Sequence, residues 1–256
     1  MKALEAALSG VCAALYASVG YVLHSILPIY TPGVGVVRFW PEVVIPGVFA
    51  VFFGPLVGGI GAAVGIFISD VLIHHDPLLS ITVGVPANFI CFFLIGYISR
   101  KELNWKKTAL GLGIGSVIVG IIVYLMMVFL SAETLYAYTK LSPEQSTLLF
   151  AGACIGSYLL MMIAGYFWPD WRTYGIASVI GLGIGSTIVG FGVWTYSQFF
   201  MLPLGWGFQL PLYAAFMWLI WTFTTEIPFL IALGPPILKA AYRAFPSLKP
   251  AKERSR

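Results

Sequence analysis

From Arg38 to His75 the chain reads RFWPEVVIPGVFAVFFGPLVGGIGAAVGIFISDVLIHH, and between Glu42 and Asp70 it carries no charge. A simple membrane span needs about 20 apolar residues, so this run is too long for one span and too short for two. Two short helices forming a hairpin are the economical solution. Phe53-Gly54-Pro55 supplies the break: Gly54 permits a turn geometry, and Pro55 loses no needed hydrogen bond at the first position of the next helix. Beyond it, Gly58, Gly59, Gly61, Ala62, Ala63 and Gly65 leave a helix with almost no side-chain bulk, which lets a neighbouring backbone approach. Such a hairpin belongs inside a helical bundle.

Composition extends that conclusion to the whole chain. Of 256 residues, 59% are hydrophobic and only 9% charged, which defines an all-α polytopic membrane protein rather than a soluble domain. Residues 1–238 read as a single transmembrane domain in two halves, 1–101 and 108–233. A basic tail follows over 239–256. The longest connection, about Ser131 to Thr147, is too short for a folded extramembrane enzyme domain. Cys12, Cys91 and Cys154 lie in apolar runs and read as small buried hydrophobes, and no metal-type Cys or His spacing exists.

About eight spans are expected. The first, about Ala3 to Leu27, exceeds the 7 to 15 residues of a signal-peptide core and reads as retained. Ala3, Ala7, Gly10, Ala14 and Ala17 alternate at spacings of four and three, which makes one smooth stripe. That stripe suits packing within the bundle or against another membrane subunit. A connection from His24 to Pro41 then delivers Arg38, Trp40 and Glu42 to the mouth of the hairpin, as ligand contacts or as an interface anchor with an exposed ion pair. The hairpin ends at Asp70, His74, His75 and Asp76, where the acids pair, meet a ligand or simply reach water; adjacent histidines diverge on a helix end, which disfavours a metal. In the fourth span, about Ser80 to Ser99, Asn88 sits deep enough to need a partner.

The fifth and seventh spans repeat each other. LGLGIGSVIVGIIVY, Leu110 to Tyr124, aligns with IGLGIGSTIVGFGVW, Ile180 to Trp194, with ten of fifteen positions identical. The glycines are not a nucleotide loop, because no strand precedes them and the spacing is not GxGxxG. They read as close-packing positions. Spans six and eight cover about Leu148 to Phe167 and Leu210 to Leu233. Glu226 in the last is a functional candidate or an inner-face partner of the basic tail. The tail itself suits anionic lipid.

With both termini cytoplasmic, 12 of the 14 basic residues face inward, and only Arg38 and Lys140 fall outside. The net charge of +4 therefore follows the positive-inside rule and implies no nucleic acid. Arg38 to Asp76 then converge outside, over a glycine-rich bundle.

The stripe of the first helix, the FGP turn opening into GGIGAAVGIFISD, and the PANF segment of span four together resemble the substrate-binding S components of energy-coupling factor (ECF) vitamin transporters. The resemblance covers roughly Lys2 to Lys101. It implies a core commonly of six helices, with the further spans as additions, in the cell membrane. It implies a vitamin-like ligand taken from outside, with Arg38, Trp40, Glu42, Asp70, His74, His75, Asp76 and Asn88 as ligand contacts. Ala3, Ala7, Gly10, Ala14 and Ala17 become the face for a transmembrane coupling subunit, and separate ATPase subunits supply the energy. No Gly-Lys dipeptide occurs, so this chain has no P-loop of its own, and neither a catalytic group nor a cofactor is expected on it. Three other readings compete: a self-contained secondary transporter using Asp70 or Glu226 for coupling ions, a membrane enzyme acting on lipid, for which His74, His75 and Asp76 are the sole metal candidates, and a purely structural subunit that binds no ligand.

Overall fold

The computed structural model describes residues 2–31, 34–129, 133, 136, 142–168 and 171–246, and among them no strand forms, only the isolated bridges Tyr30 to Arg38 and Leu202 to Gly207. The principal helices are α1 (Ala3–Ile26), α2 (Val44–Phe53), α3 (Pro55–His74), α4 (Pro77–Ile98), α5 (Trp105–Phe129), α6 (Pro143–Phe167), α7 (Arg172–Phe199) and α8 (Tyr213–Ala244). Five of them, α1, α3, α4, α7 and α8, are long and apolar enough to cross a membrane. The chain is a helical membrane protein.

The hairpin is asymmetric rather than a pair of short helices. The break falls at Gly54, whose φ of 117° is a backbone geometry that favours glycine. That leaves 10 residues in α2 and 20 in α3, or about 15 Å against about 30 Å at 1.5 Å per residue. Only α3 reaches across, and it forms the axis of the bundle. Gly61 of α3 lies against Cys12 of α1, and Gly65 against Ala13 and Tyr16, so the two helices run in the same direction. On its other sides α3 meets α2 and α4, and α7 joins α4 to α8.

Helices α5 and α6 form a second hairpin, packed chiefly on each other and leaning on α8 and α7 through α6. Helix α6 starts at Pro143, inside the connection expected over Ser131 to Thr147. Ser142 closes a capping box there: its Oγ accepts from the Gln145 N–H at 3.2 Å, and its own N–H donates to Gln145 Oε1 at 2.9 Å. Lys140 and the side chain of Cys154 lie outside the described residues, whereas Cys12 and Cys91 are buried free thiols.

Helix α8 runs on to Ala244, past the end expected at Leu233 and into the stretch read as a tail. Its Pro228, Pro235 and Pro236 sit inside the helix. Tertiary packing holds it together: Leu238 is fully buried, and Tyr242 meets Phe52 edge-on at 5.1 Å. Residues 247–256 lie outside the described residues.

The packing brings the described lysines and arginines other than Arg38 to one end. Arg100 covers the Gly54 turn and donates to the Val51 carbonyl at 3.4 Å, and Arg172 lies over the Trp105 ring at 5.1 Å. Lys2, Lys101, Lys106, Lys107, Lys239 and Arg243 sit at the same end of their helices. The opposite end is closed by two aromatic-rich connections. Trp206, between α7 and α8, stacks over Gly35 and lies 5.9 Å from the Tyr30 ring, while Trp218 donates to the Gly35 carbonyl at 2.8 Å.

Candidate functional site

Beneath those connections α1, α3, α4, α7 and α8 enclose a cavity of about 90 Å³. Its position follows from local irregularities in two of the walls. Helix α4 opens with one turn, Pro77–Leu79, and then widens into a π-helical segment over Ser80–Gly84. Such segments are frequent at functional sites because they shift side chains out of the regular helical register. Here the widening lets Ser80 Oγ donate to Asp70 Oδ2 at 2.9 Å and leaves the Gly84 carbonyl to accept from Asn88 Nδ2 at 3.0 Å. The second irregular wall is the connection itself, turned by Gly35 and Val36, both at positive φ, so that Val36, Val37 and Trp40 cover the cavity.

Of the expected ligand contacts, Trp40, Asp70, His74 and Asn88 line the cavity. Asn88 Oδ1 accepts from the Tyr16 hydroxyl at 2.9 Å, which ties α4 to α1. Asp70 also lies 3.7 Å from His74 Nδ1 and 3.9 Å from Arg38 Nη2. Arg38 is 1% exposed and does not line the cavity. It donates through Nη2 to Ser69 Oγ, and its guanidinium covers the Trp40 ring at 3.5 Å from the centroid. Burial pulls its pKa below the ordinary arginine value, and the charges of Asp70 and Glu42 oppose that pull.

The other expected contacts do different work. Glu42 is buried away from the cavity, its Oε1 close against Gly20 of α1 and its Oε2 without a partner. His75 is exposed at the left-handed C-cap of α3. Asp76 caps α4, accepting from the Leu79 N–H at 3.0 Å, and also accepts from the Tyr196 hydroxyl at 2.9 Å. No group of three or more His, Cys, Asp or Glu able to hold a metal occurs among the described residues.

Four polar cavity residues are not among the contacts expected from the sequence: Tyr16, Ser186, Thr222 and Glu226. Glu226 and Thr222 share a face of α8, one turn apart. Glu226 is 7% exposed and makes no hydrogen bond or ion pair with any described residue. The expected pairing with the basic tail is absent from the described residues because Lys239 begins more than three turns farther along α8, at the opposite end of the bundle. The signal was available: Glu226 is the one carboxylate in a long apolar run without a basic residue within a turn.

The small-residue stripe on α1 divides. Its buried face is Ser9, Cys12, Ala13, Tyr16, Ala17 and Gly20. Ala17 therefore turns inward, whereas Ala3, Ala7, Gly10 and Ala14 are exposed, and a Cβ placed on Gly10 meets nothing within 4 Å.

Fold and cavity together define a helical membrane protein with a half-open, largely apolar site into which a few polar side chains face. No family model, no curated protein and no solved structure matches the chain, so its function has to be argued from that site.

Proposed function

We propose that this chain is the membrane-embedded substrate-binding subunit of an ATP-driven, ECF-type importer, which captures a vitamin or related small micronutrient at the outer face of the cell membrane. The observation that carries this reading is the cavity, set toward the end of the bundle remote from the basic residues. By the positive-inside rule the basic end is cytoplasmic, which puts the cavity near the outside. The exposed Ala3, Ala7, Gly10 and Ala14 face supports it further, since a bare stripe of small residues lets a partner helix approach. The six elements α1 to α4, α7 and α8 account for a six-helix core, with the α5–α6 hairpin added at its side. ATP is used by partner ATPase subunits, coupled through a transmembrane subunit seated on α1.

A second reading draws on Glu226, which as a cavity carboxyl with no hydrogen bond or ion pair to any described residue is placed to carry a coupling ion in a self-contained secondary transporter. Native mass spectrometry of the protein, gently extracted from its own membranes, separates the two. Co-purified ATPase subunits and a vitamin-sized ligand are the expected result. A chain with ligand but no ATPase, whose uptake collapses with the proton or sodium gradient, overturns the importer reading.

A further inference from the structure

The cavity is unbalanced in charge. Two carboxyl groups line it, Asp70 and Glu226, and no lysine or arginine does. Asp70 is already engaged by Ser80, His74 and, from behind, Arg38. Glu226 makes no hydrogen bond or ion pair with any described residue, and the charged group that acts on it, Glu42, is of the same sign. An ionised carboxylate in a low-dielectric wall needs a hydrogen-bonded or charged partner. The neighbouring polar groups do not supply one: the Tyr16 hydroxyl donates to Asn88 Oδ1, Asn88 Nδ2 donates to the Gly84 carbonyl, and Thr222 Oγ1 and Trp40 Nε1 are themselves buried without partners. Of the remaining lining, His74 lies against Asp70 and Ser186 donates to the Leu182 carbonyl, while Phe92, Val83, Leu182 and Val189 are apolar.

We infer that the ligand of this cavity is a compact organic cation, an apolar or aromatic body bearing a protonated amine or amidine whose N–H groups donate to Glu226. The inference rests on the binding-subunit reading for the existence of a ligand and adds its charge and size. Charge-assisted hydrogen bonds to a carboxylate are roughly twice as strong as neutral ones, so Glu226 is the orienting contact. The body packs against Phe92 and the aliphatic side chains of α4 and α7. Size follows from volume: about 90 Å³ lies well below the ~300–1,000 Å³ of drug-sized ligand sites, which favours a single ring. A bare divalent cation does not suit the site, because calcium and magnesium need about six or more oxygen ligands. An anionic ligand meets an acidic lining that offers it no lysine or arginine.

The test uses the full chain in lipid nanodiscs, titrated calorimetrically with benzamidine, benzamide and benzoate, which share a ring and differ in charge. Benzamidine is expected to bind at least about tenfold tighter than the other two, and Glu226→Gln to erase that preference while leaving benzamide within about threefold. Glu226→Asp, which keeps the charge, should retain the preference if Glu226→Gln fails to fold. Benzamide or benzoate binding as tightly as benzamidine to the unsubstituted protein overturns the cation assignment and leaves the binding cavity standing. A preference that survives Glu226→Gln overturns the role of Glu226. No binding of any of the three up to about 10 mM overturns the cavity as a single-ring site, and the ATPase co-purification then decides separately whether the importer reading survives.

Discussion

Helices α5 and α7 carry the same glycine spacing, Gly111, Gly113, Gly115 and Gly120 in one and Gly181, Gly183, Gly185 and Gly190 in the other, but the two sets have different surroundings. A Cβ on Gly181 would sit 2.7 Å from the Cys91 carbonyl oxygen, and one on Gly190 would sit 2.4 Å from that of Ala215. On Gly111, Gly115 and Gly120 it meets nothing within 4 Å, and on Gly113 it meets only the Tyr158 ring and hydroxyl. A glycine stripe makes a helix approachable, and the neighbours decide whether it is approached. In α7 both α4 and α8 press into it, which brings Leu182, Gly185 and Val189 to the cavity wall. In α5 the stripe is largely bare, as is most of the stripe on α1.

The largest effect should come from filling the two stripes. Gly190→Leu drives a side chain into the α8 backbone, where overpacking costs about 3 kcal/mol or more. It is expected to abolish a monodisperse peak in size-exclusion chromatography, whereas Gly120→Leu should elute normally and melt within about 3 °C of the parent. Equal damage from both would break the comparison.

Charge gives the next contrast. Arg38 is buried beside Asp70, so Arg38→Met strands a buried carboxylate at a cost of about 3–5 kcal/mol. Arg100, at the partly exposed turn, should cost about 0–1 kcal/mol when replaced by Met. Thermal unfolding in detergent reads both, and Asp70→Asn in the Arg38→Met background should recover part of the loss. A double variant no better than Arg38→Met alone would remove the Arg38–Asp70 coupling from the account.

The smallest effect should also reverse sign between the stripes. Alanine favours helix over glycine by about 1 kcal/mol, so Gly115→Ala in α5 should raise the melting temperature slightly. Gly185→Ala in α7 should lower it, since its Cβ would lie 2.8 Å from that of Cys91. Matching shifts at the two positions would mean that the bare stripe is covered after all.

The comparison also shows what the sequence can carry. The first helix and the glycine-rich face of α3 were legible to within a residue or two, because apolar length and the Gly54-Pro55 break are local signals. The lengths within the hairpin were not, since nothing but the position of Gly54 divides that apolar run unequally. The end of α8 was hidden because Pro235 and Pro236 look like a stop, and only Leu238 and Tyr242 packing carries the helix past them. At the site, the Arg38 to Asp76 cluster was visible as polarity at helix ends. Its division into a cavity-lining set, a buried Arg38 support and the capping residues His75 and Asp76 depends on which way α3 is turned. Tyr16 joins it from α1, about 20 residues before Arg38, and Thr222 and Glu226 from α8, more than 140 residues after Asp76, and no spacing rule links them.

On the proposed reading the cavity and the bare face of α1 do separate jobs, one holding ligand and the other meeting the energising subunits. Its most direct test is the paired substitution Ala7→Leu and Gly10→Leu, assayed for ligand binding in nanodiscs and for uptake in cells carrying the partner subunits. The account predicts binding within about twofold of the parent, since neither residue touches the cavity, with uptake reduced about tenfold or more, as expected when bulk blocks a close helix contact. Uptake at the parental rate with both leucines in place would contradict it.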